Sequence, residues 1–314
     1  PEQMHGITRH FVTIGDRQVH YLRAGSGPCV VLLHGSPESG FSFLPLIQTL
    51  KDSFTVIAPD TPGNGNSDPL PLDEPEIPDY GRALGEFLDA IGVETCALYG
   101  FHTGADIGVC YSTMVPDRVS LVVANGFPIF TDAEIAEILA GYLPPFEPKW
   151  DASHLAWLWA RFVEQLIFFP WHIRDEAHRM VRDHVPPEFV QFWVLQALRA
   201  GDEWRKPYRA AFKQKSEEFI PLMKVPTIIT ALSTDPLAEH LDRLPPLPDC
   251  ARVERLGPDF AAAFAAFKGY FHEQPAAPPG APPSPQPRGK AGVYQDFVSA
   301  GGGQVYFQKR DGTG

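Results

Sequence analysis

The chain has 314 residues, 44% of them hydrophobic, and carries a formal net charge of −12 at pH 7. This apolar fraction is sufficient for a packed core, and no uninterrupted apolar stretch approaches the roughly 18 residues of a membrane span. The acidic balance, with a pI near 5.3, argues against nucleic acid and anionic membranes as partners. The length fits one large α/β domain or two small ones.

The cysteines indicate free thiols. They lie far apart and form no CxxC pair: Cys29, Cys96, Cys110 and Cys250. Three sit in apolar segments, which favours buried thiols over disulfides or metal ligands. No secretory signal is recognisable, so a cytoplasmic location is expected.

Short apolar runs alternate with amphipathic segments along the chain. "HFVTIGDRQVHYLRAG" alternates and turns at Gly15-Asp16, which predicts a β-hairpin. Further strands are predicted at "CVVLL" (29–33), "FTVIA" (54–58), "TCALY" (95–99), "VSLVVA" (119–124), "PTIITAL" (226–232) and "CARVERL" (250–256). Helices are predicted at "FSFLPLIQTL", "DYGRALGEFLDAIGV" and "DFAAAFAAFKGYF". This alternation predicts an α/β fold with a doubly wound, mostly parallel sheet.

Residues 128–221 interrupt this rhythm. They contain all six tryptophans of the chain, in segments with helical spacing. They are interpreted as a helical lid inserted into an α/β core made of 1–127 and 222–273. Two interpretations stay open and are compatible: a subdomain with its own aromatic core, and a lid whose inner face lines an apolar substrate pocket.

The end of the chain resembles its beginning. A proline-rich linker with extended character is predicted over 274–292. After it, "DFVSAGGGQVYFQKRDGTG" realigns on "HFVTIGDRQVHYLRAGSG" with about seven identities in eighteen pairs, among them Phe11/Phe297 and Gln18/Gln304. Residues 293–314 are therefore expected to begin a second, truncated copy of the same domain. The alternatives are a chance similarity and a lone hairpin that pairs on a sheet edge or is swapped between subunits.

Three glycine-containing turns follow three of the predicted strands. They are "VVLLHGSPESG" (30–40), "VIAPDTPGNGNSDPL" (56–70) and "LYGFHTGADIG" (98–108). In order and spacing they resemble the α/β-hydrolase fold, in the lidded branch that includes epoxide hydrolases, haloalkane dehalogenases and esterases. The resemblance covers about residues 10 to 272. It implies that backbone N–H groups of Ser36 and Thr103 form an oxyanion hole. It also implies that His34 and Gly35 orient the first loop.

The catalytic positions depart from the family pattern. The resemblance places a nucleophile at the centre of "GFHTG", where this chain has His102. An acid is expected after the strand that follows the lid, and Asp235 lies there. The family's histidine should follow the last strand, but "LGPDFAAAF" contains Asp259 instead. The prediction is a dyad of His102 with either Asp235 or Asp259. His240 and His272 are poorer candidates by spacing.

The altered site supports more than one chemistry. At a helix N-terminus the positive end of the dipole disfavours imidazolium, whereas a neighbouring aspartate favours it, and the sequence leaves the net pKa shift open. In its neutral form His102 is expected to act as a general base on water. The first hypothesis is thus a hydrolase of a small, apolar, ester-like substrate. The alternatives are a catalytically degenerate ligand-binding or scaffolding half of a tandem hydrolase, and a cofactor-free lyase. Epoxide and haloalkane chemistry lose their carboxylate nucleophile, so Tyr142 and Tyr208 of the lid are expected to serve packing.

No cofactor and no metal are expected, because the histidines of the insertion lack ligand spacing. The expected partners are a small apolar substrate or ligand and, as open alternatives, a second hydrolase-like domain or a homodimer.

Overall fold

The structure is a computed structural model that describes residues 4–180, 185–284, 293–300 and 303–310. Residues 181–184 of the predicted insertion, 285–292 of the predicted linker and 311–314 of the predicted repeat lie outside the described residues.

The strands and helices closely match the predicted elements. The strands are β1 (Ile7–Ile14), β2 (Arg17–Ala24), β3 (Cys29–Leu33), β4 (Thr55–Pro59), β5 (Cys96–Phe101), β6 (Val119–Asn125), β7 (Thr227–Leu232), β8 (Ala251–Leu256), β9 (Val293–Ala300) and β10 (Gly303–Arg310). The helices are α1 (Leu44–Leu50), α2 (Ile77–Ala90), α3 (Thr103–Met114), α4 (Asp132–Gly141), α5 (Ser153–Gln165), α6 (Pro187–Ala200), α7 (Arg205–Lys213) and α8 (Phe260–Glu273).

One sheet organises the core. Its strand order is β1-β2-β4-β3-β5-β6-β7-β8, in which β3 to β8 run parallel and β1 and β2 pair antiparallel. The predicted doubly wound, mostly parallel sheet is confirmed. Every residue of β3, β4 and β7 is buried, because α2 and α3 cover one face and α1 and α8 cover the other. Parallel strands end at one side of a sheet, so the loops after β3, β5, β6 and β7 meet there.

The segment between β6 and β7 contains α4 to α7 and has apolar clusters of its own. At their centre Arg161 is only 1% exposed, and its guanidinium lies 5.1–5.3 Å from the rings of Tyr142, Phe162, Trp171 and Trp204. Burial lowers the pKa of Arg161. The aromatic residues of the insertion therefore pack around a buried cation as well as against one another.

The structure also bears on the predicted free thiols and on the lack of an apolar stretch long enough for a membrane span. Cys29, Cys96 and Cys110 are buried free thiols, and Cys250 is half-buried and also free. None of the helices in the described ranges combines the length and the apolarity needed to cross a bilayer.

The turn from β5 into α3 depends on two close backbone approaches. A Cβ atom at Gly100 would overlap the carbonyl oxygen of Gly104, and a Cβ at Gly104 would overlap the carbonyl oxygen of Leu33. Only glycine fits both positions, since backbone cannot yield as a flexible side chain can. The same contact brings the end of β3 against the start of α3.

Gly104→Ala is expected to lower the free energy of unfolding by about 3 kcal/mol, because the added methyl forces two backbone segments apart. Gly108→Ala is the matched control on the same helix. Its Cβ would make ordinary contacts with Leu33 Cδ1 at 3.4 Å and with two side-chain atoms of Leu98 at 3.8 and 3.9 Å, and alanine is the better helix former by about 1 kcal/mol. Urea unfolding measures both variants. Equal stabilities for the two would contradict the backbone contact.

Candidate active site

His102 lies at the tip of the turn between β5 and α3. Its backbone adopts φ +48° and ψ −111°, and among the described non-glycine residues only Ala152 shares a positive φ. Its N–H donates to the carbonyl of Asn125 at 3.0 Å. Non-glycine residues in such strained conformations are concentrated at functional sites, where the surrounding structure enforces them.

The imidazole of His102 pairs with Asp235. Its Nε2 lies 3.0 Å from Oδ1 and 2.9 Å from Oδ2 of that carboxylate. The ring also stacks on Phe101, with centroids 3.8 Å apart. A carboxylate accepts only, so Nε2 carries the hydrogen and Nδ1 carries the free lone pair. The His102 side chain is 28% exposed and that of Asp235 only 7%, so a small molecule can reach the imidazole.

Asp235 is fixed by its own turn after β7. Its N–H donates to the carbonyl of Leu232 at 2.9 Å. Its Oδ1 accepts the Leu237 N–H at 2.8 Å. These bonds aim the carboxylate at His102 before any ligand arrives.

Gly126, which follows β6, makes room for the imidazole. A Cβ there would overlap Cδ2 of His102, and would lie 2.7 Å from Nε2 and 3.4 Å from Asp235 Oδ2. The sequence analysis did not single out Gly126. The only signal was a lone glycine at a strand end in "VVANGF", which also fits an ordinary turn.

Asp259, predicted as an alternative partner of His102, does not pair with it. It is the N-cap of α8, where Oδ1 accepts the Ala262 N–H at 2.7 Å, and it is exposed. That expectation was wrong because the short polar side chain satisfies the open end of its own helix.

The two other histidines considered have structural contacts. His240 Nδ1 accepts the Ile129 N–H at 2.9 Å, and burial, together with the charge of Arg243, lowers the pKa of His240 to about 4. His272 packs on Phe54 with ring centroids 4.7 Å apart. Both imidazoles are used in packing.

The loop after β3 is held by His34. Its Nδ1 donates to the carbonyl of Gly35 at 2.8 Å, and its Nε2 accepts the Thr61 N–H at 2.9 Å. Burial lowers the pKa of His34, which suits this neutral arrangement. Ser36 follows directly. Thr103 is the first residue of α3, so its N–H has no acceptor within the helix and is free for a ligand.

Asp60 joins the two loops after β3 and β4. Its buried carboxylate accepts the N–H groups of Gly40 and Asn66, at 2.9 and 2.8 Å, and pairs with His20 Nδ1 at 2.9 Å. Burial by itself would raise the pKa of Asp60, but the charge and hydrogen bond of His20 and the Asn66 amide hold it below the usual value. These contacts fix the shape of both turns.

Glu38, in the same loop, contacts the insertion and was not singled out from the sequence. Its Oε1 accepts the indole N–H of Trp193, on α6, at 3.0 Å. The neighbouring Ser39 donates to Gln196 of α6 at 2.7 Å. Burial raises the pKa of Glu38, while the hydrogen bond from Trp193 and the charge of His102 oppose the rise. A second carboxyl group, whose pKa is raised by burial, therefore lies within electrostatic range of His102.

Tyr142 and Tyr208 face each other inside the insertion. Their hydroxyls lie 3.1 Å apart, and both rings pack against Phe212 at 4.7–4.8 Å. These are packing contacts, the role that the sequence analysis gave them. Within the described ranges no three His, Cys, Asp or Glu side chains group as metal ligands would.

The strained strand-to-helix turn of His102 and the adjoining loop after β3 lie together at the carboxyl ends of the parallel strands of a doubly wound sheet. The family model of the alpha/beta hydrolase fold matches residues 28–257. The chain belongs to this family.

Parts of the chain are also similar in sequence to individual characterised proteins. The chain is 33% identical over 106 residues to haloalkane dehalogenase 2 of Mycobacterium tuberculosis, and 32% identical over 106 residues to the soluble epoxide hydrolase of Corynebacterium sp.. Each match covers 34% of this chain and 37% of the relative. It is also 32% identical over 126 residues to a cis-3-alkyl-4-alkyloxetan-2-one decarboxylase of Shewanella oneidensis, covering 37% of this chain and 38% of that relative. The matched segments thus span under two-fifths of these relatives.

Solved structures agree with the fold over a longer range. Epoxide hydrolase A of Mycobacterium thermoresistibile superposes with a TM-score of 0.61 at 19% identity, covering 86% of this chain and 99% of that one. A bromoperoxidase of Bacillus anthracis gives a TM-score of 0.63 at 21% identity, with 85% and 98% covered. At these identities the likeness concerns the fold.

Asp60→Asn is expected to lower the free energy of unfolding by about 2 to 3 kcal/mol at pH 7, because an amide cannot replace the charged acceptor. The folded-state pKa of Asp60 is depressed. Its stabilisation is therefore complete above the ordinary value of 3.8 and is lost as the pH falls through the folded-state pKa. The stability difference between wild type and variant should shrink over that range.

Urea unfolding at several pH values measures this difference. Asp117→Asn is the control, since that side chain is exposed in the turn before β6 and should change stability by no more than about 0.5 kcal/mol. If the stability difference between wild type and Asp60→Asn stayed constant from neutral to acidic pH, the charged Asp60 carboxylate would not be the source of the stabilisation.

Proposed function

We propose that the protein is a hydrolase of small, apolar, ester-like substrates in which His102 acts as a general base paired with Asp235. The observation that carries the proposal is the contact of Nε2 with the Asp235 carboxylate at 2.9 Å, made by a partly exposed imidazole at a strained turn. In the neutral imidazole this pairing places the hydrogen on Nε2 and the lone pair on Nδ1. An imidazole so oriented takes a proton from water.

The reaction follows from this arrangement. A water molecule beside Nδ1 loses a proton to His102 while its oxygen attacks the ester carbonyl carbon. The imidazolium that forms is stabilised by Asp235. We assign the stabilisation of the negative charge on the carbonyl oxygen to the N–H groups of Ser36 and Thr103. Collapse of the tetrahedral intermediate breaks the bond to the alcohol oxygen, which takes the proton back from His102.

Glu38 supports this chemistry as a second proton carrier. Burial raises the pKa of its carboxyl, so a larger fraction of it is protonated at a given pH. In that form it is the alternative donor to the departing alcohol oxygen, and His102 would then return its proton to the Glu38 carboxylate. Groups whose environments push their pKa values apart commonly divide acid and base roles. Trp193 fixes the orientation of this carboxyl from the insertion.

The insertion supports the apolar character of the substrate. We assign it the role of a lid, with α6 tied to the loop after β3 by the Trp193–Glu38 and Ser39–Gln196 bonds. Its aromatic clusters offer apolar surface next to the site. The epoxide and haloalkane chemistry named in the relatives is not proposed here, because an imidazole occupies the position where those enzymes carry a carboxylate nucleophile.

The test measures release of p-nitrophenol from p-nitrophenyl acetate, butyrate and octanoate by the 314-residue chain. His102→Gln and Asp235→Asn are expected to lower kcat by about 10² to 10⁴, the range of general acid–base catalysis. Asp259→Asn is the matched control: asparagine also caps helices, so kcat should stay at the wild-type value.

Wild-type turnover by His102→Gln would eliminate the imidazole as base. If only Asp259→Asn lost activity, Asp259 and not Asp235 would be the partner of His102. Absence of turnover on all three esters by the wild-type chain would favour a degenerate ligand-binding or scaffolding domain.

Gly126→Ala tests the space that His102 needs. The methyl would displace the imidazole from Asp235, and kcat should fall at least about 10-fold beyond the control, since misplacement by about 1 Å costs up to about 100-fold. Gly92→Ala is the control, because Gly92 shares the positive φ but has nothing within 4 Å of its Cβ. Equal kcat values for the two alanine variants, both folded by circular dichroism, would contradict this role.

A second candidate function is a cofactor-free lyase. The Shewanella relative is named as a decarboxylase of an oxetan-2-one, which is a four-membered cyclic ester and so belongs to the ester-like class proposed above. A cis-3,4-dialkyl oxetan-2-one separates the two: ring hydrolysis gives a hydroxy acid, whereas decarboxylation gives an alkene and carbon dioxide. Gas-chromatographic detection of the alkene would favour the lyase.

A further inference from the structure

The second hairpin, β9–β10, has the same geometry as the first hairpin, β1–β2. Each strand is eight residues long in both hairpins. Phe11 pairs across the first with His20, and Phe297 pairs across the second with Tyr306. The sequence alignment made these same residues equivalent, so the repeat in the sequence is matched by an identical strand register.

The two hairpins contact each other through equivalent residues. Gln304 binds the backbone of Arg9 twice: its Oε1 accepts the Arg9 N–H at 2.6 Å and its Nε2 donates to the Arg9 carbonyl at 3.0 Å. Gln18 binds the backbone of Gln295 in the same way, at 3.1 and 3.3 Å. In the repeat Gln18 corresponds to Gln304, and Arg9 to Gln295. Each copy thus offers the same glutamine to the same backbone position of the other.

An aromatic pair lies between these two sets of bonds. Phe11 and Phe297 are equivalent residues, and their rings stack with centroids 5.8 Å apart and an angle of 7° between planes. A residue that meets its own equivalent, flanked by two reciprocal contacts, is the pattern of a two-fold, isologous interface. Two contacts depart from symmetry. Asp296 stands where the first copy has His10 and accepts the Phe11 N–H at 3.1 Å. The Arg9 guanidinium lies 4.2 Å from the Phe297 ring centroid, whereas the equivalent of Arg9 is Gln295.

The second hairpin also exposes surface that the first one buries. Val12 and Val19 are 6% and 2% exposed, within the core under α2. Their equivalents Val298 and Val305 are 51% and 52% exposed. In the first hairpin the corresponding face is covered by the α/β core. The core of a second copy would cover the exposed valines of the second hairpin in the same way.

We infer that the outer face of the β1–β2 hairpin is a docking surface for a second copy of this fold in the same polypeptide, whose opening hairpin is β9–β10. The partner is recognised by the glutamine–backbone bonds and the phenylalanine stack, which any copy that retains Phe11 and Gln18 equivalents can form. The interface is independent of His102 and of the proposed reaction.

The two-fold relation is tested by amide hydrogen exchange, read by NMR on the 314-residue chain. Gln304→Ala is expected to speed exchange of the Arg9 amide, and Gln18→Ala that of the Gln295 amide, each by about 10-fold, since each loses its hydrogen-bond acceptor. Gln308→Ala, on the same strand but exposed, should change neither amide. Faster exchange at one of the two sites with no change at the other would overturn the two-fold interface.

The identity of the partner is tested by replacing residues 293–310 with the sequence of residues 7–24. The registers are identical, so the graft keeps both glutamines and both phenylalanines, while Asp296 becomes histidine. The Arg9 amide should stay as protected as in the wild type, and the Phe11 amide should lose its protection. Exchange of Arg9 as fast as in Gln304→Ala, with the β5 amides still protected, would show that the surface does not accept a copy of itself.

Discussion

The contact between the start of α3 and the end of β3 determines how the site is assembled. Because Gly104 has no side chain, the helix reaches the carbonyl of Leu33 directly, and the loop that begins at His34 comes to lie beside His102. No attractive side-chain interaction is needed for this. A steric requirement on two backbones, which glycine alone meets, brings the free N–H of Thr103, the loop of Ser36 and the imidazole into one small region.

The proposed dyad of His102 and Asp235 is a shortened form of the three-residue arrangement that the family resemblance implies. In that arrangement an acid after β7 holds a histidine, which faces the residue at the turn after β5. In the proposed dyad the acid keeps its place and the imidazole stands at the turn itself. Gly126 makes room for the imidazole, because the ring crosses the end of β6 at a position where a Cβ would overlap it.

Much of the fold could be predicted because its signals are local. Buried parallel strands give continuous apolar runs, and "CVVLL" matches β3 residue for residue. The candidate site was predictable only in part. The loops that carry Asp235 and Asp259 lie more than 130 positions from His102 along the chain. How far each loop extends over the sheet sets its distance from His102, and no local sequence pattern determines that. The aspartate that opens an alanine-rich helix did carry a capping signal, which weighs against Asp259 as a partner. Glu38 was missed because its importance comes from burial under Trp193, a residue of the insertion.

Edge strands of a sheet invite further strands to add to them. The outward N–H groups of Arg9 and Phe11 on β1 are instead occupied by side chains, Gln304 and Asp296, so the second hairpin covers this border without extending the ladder. Two copies joined as we propose would keep separate sheets, each with its own twist. A two-fold contact uses the same patch on both partners, so the proposed assembly would stop at a pair and would not grow into a filament.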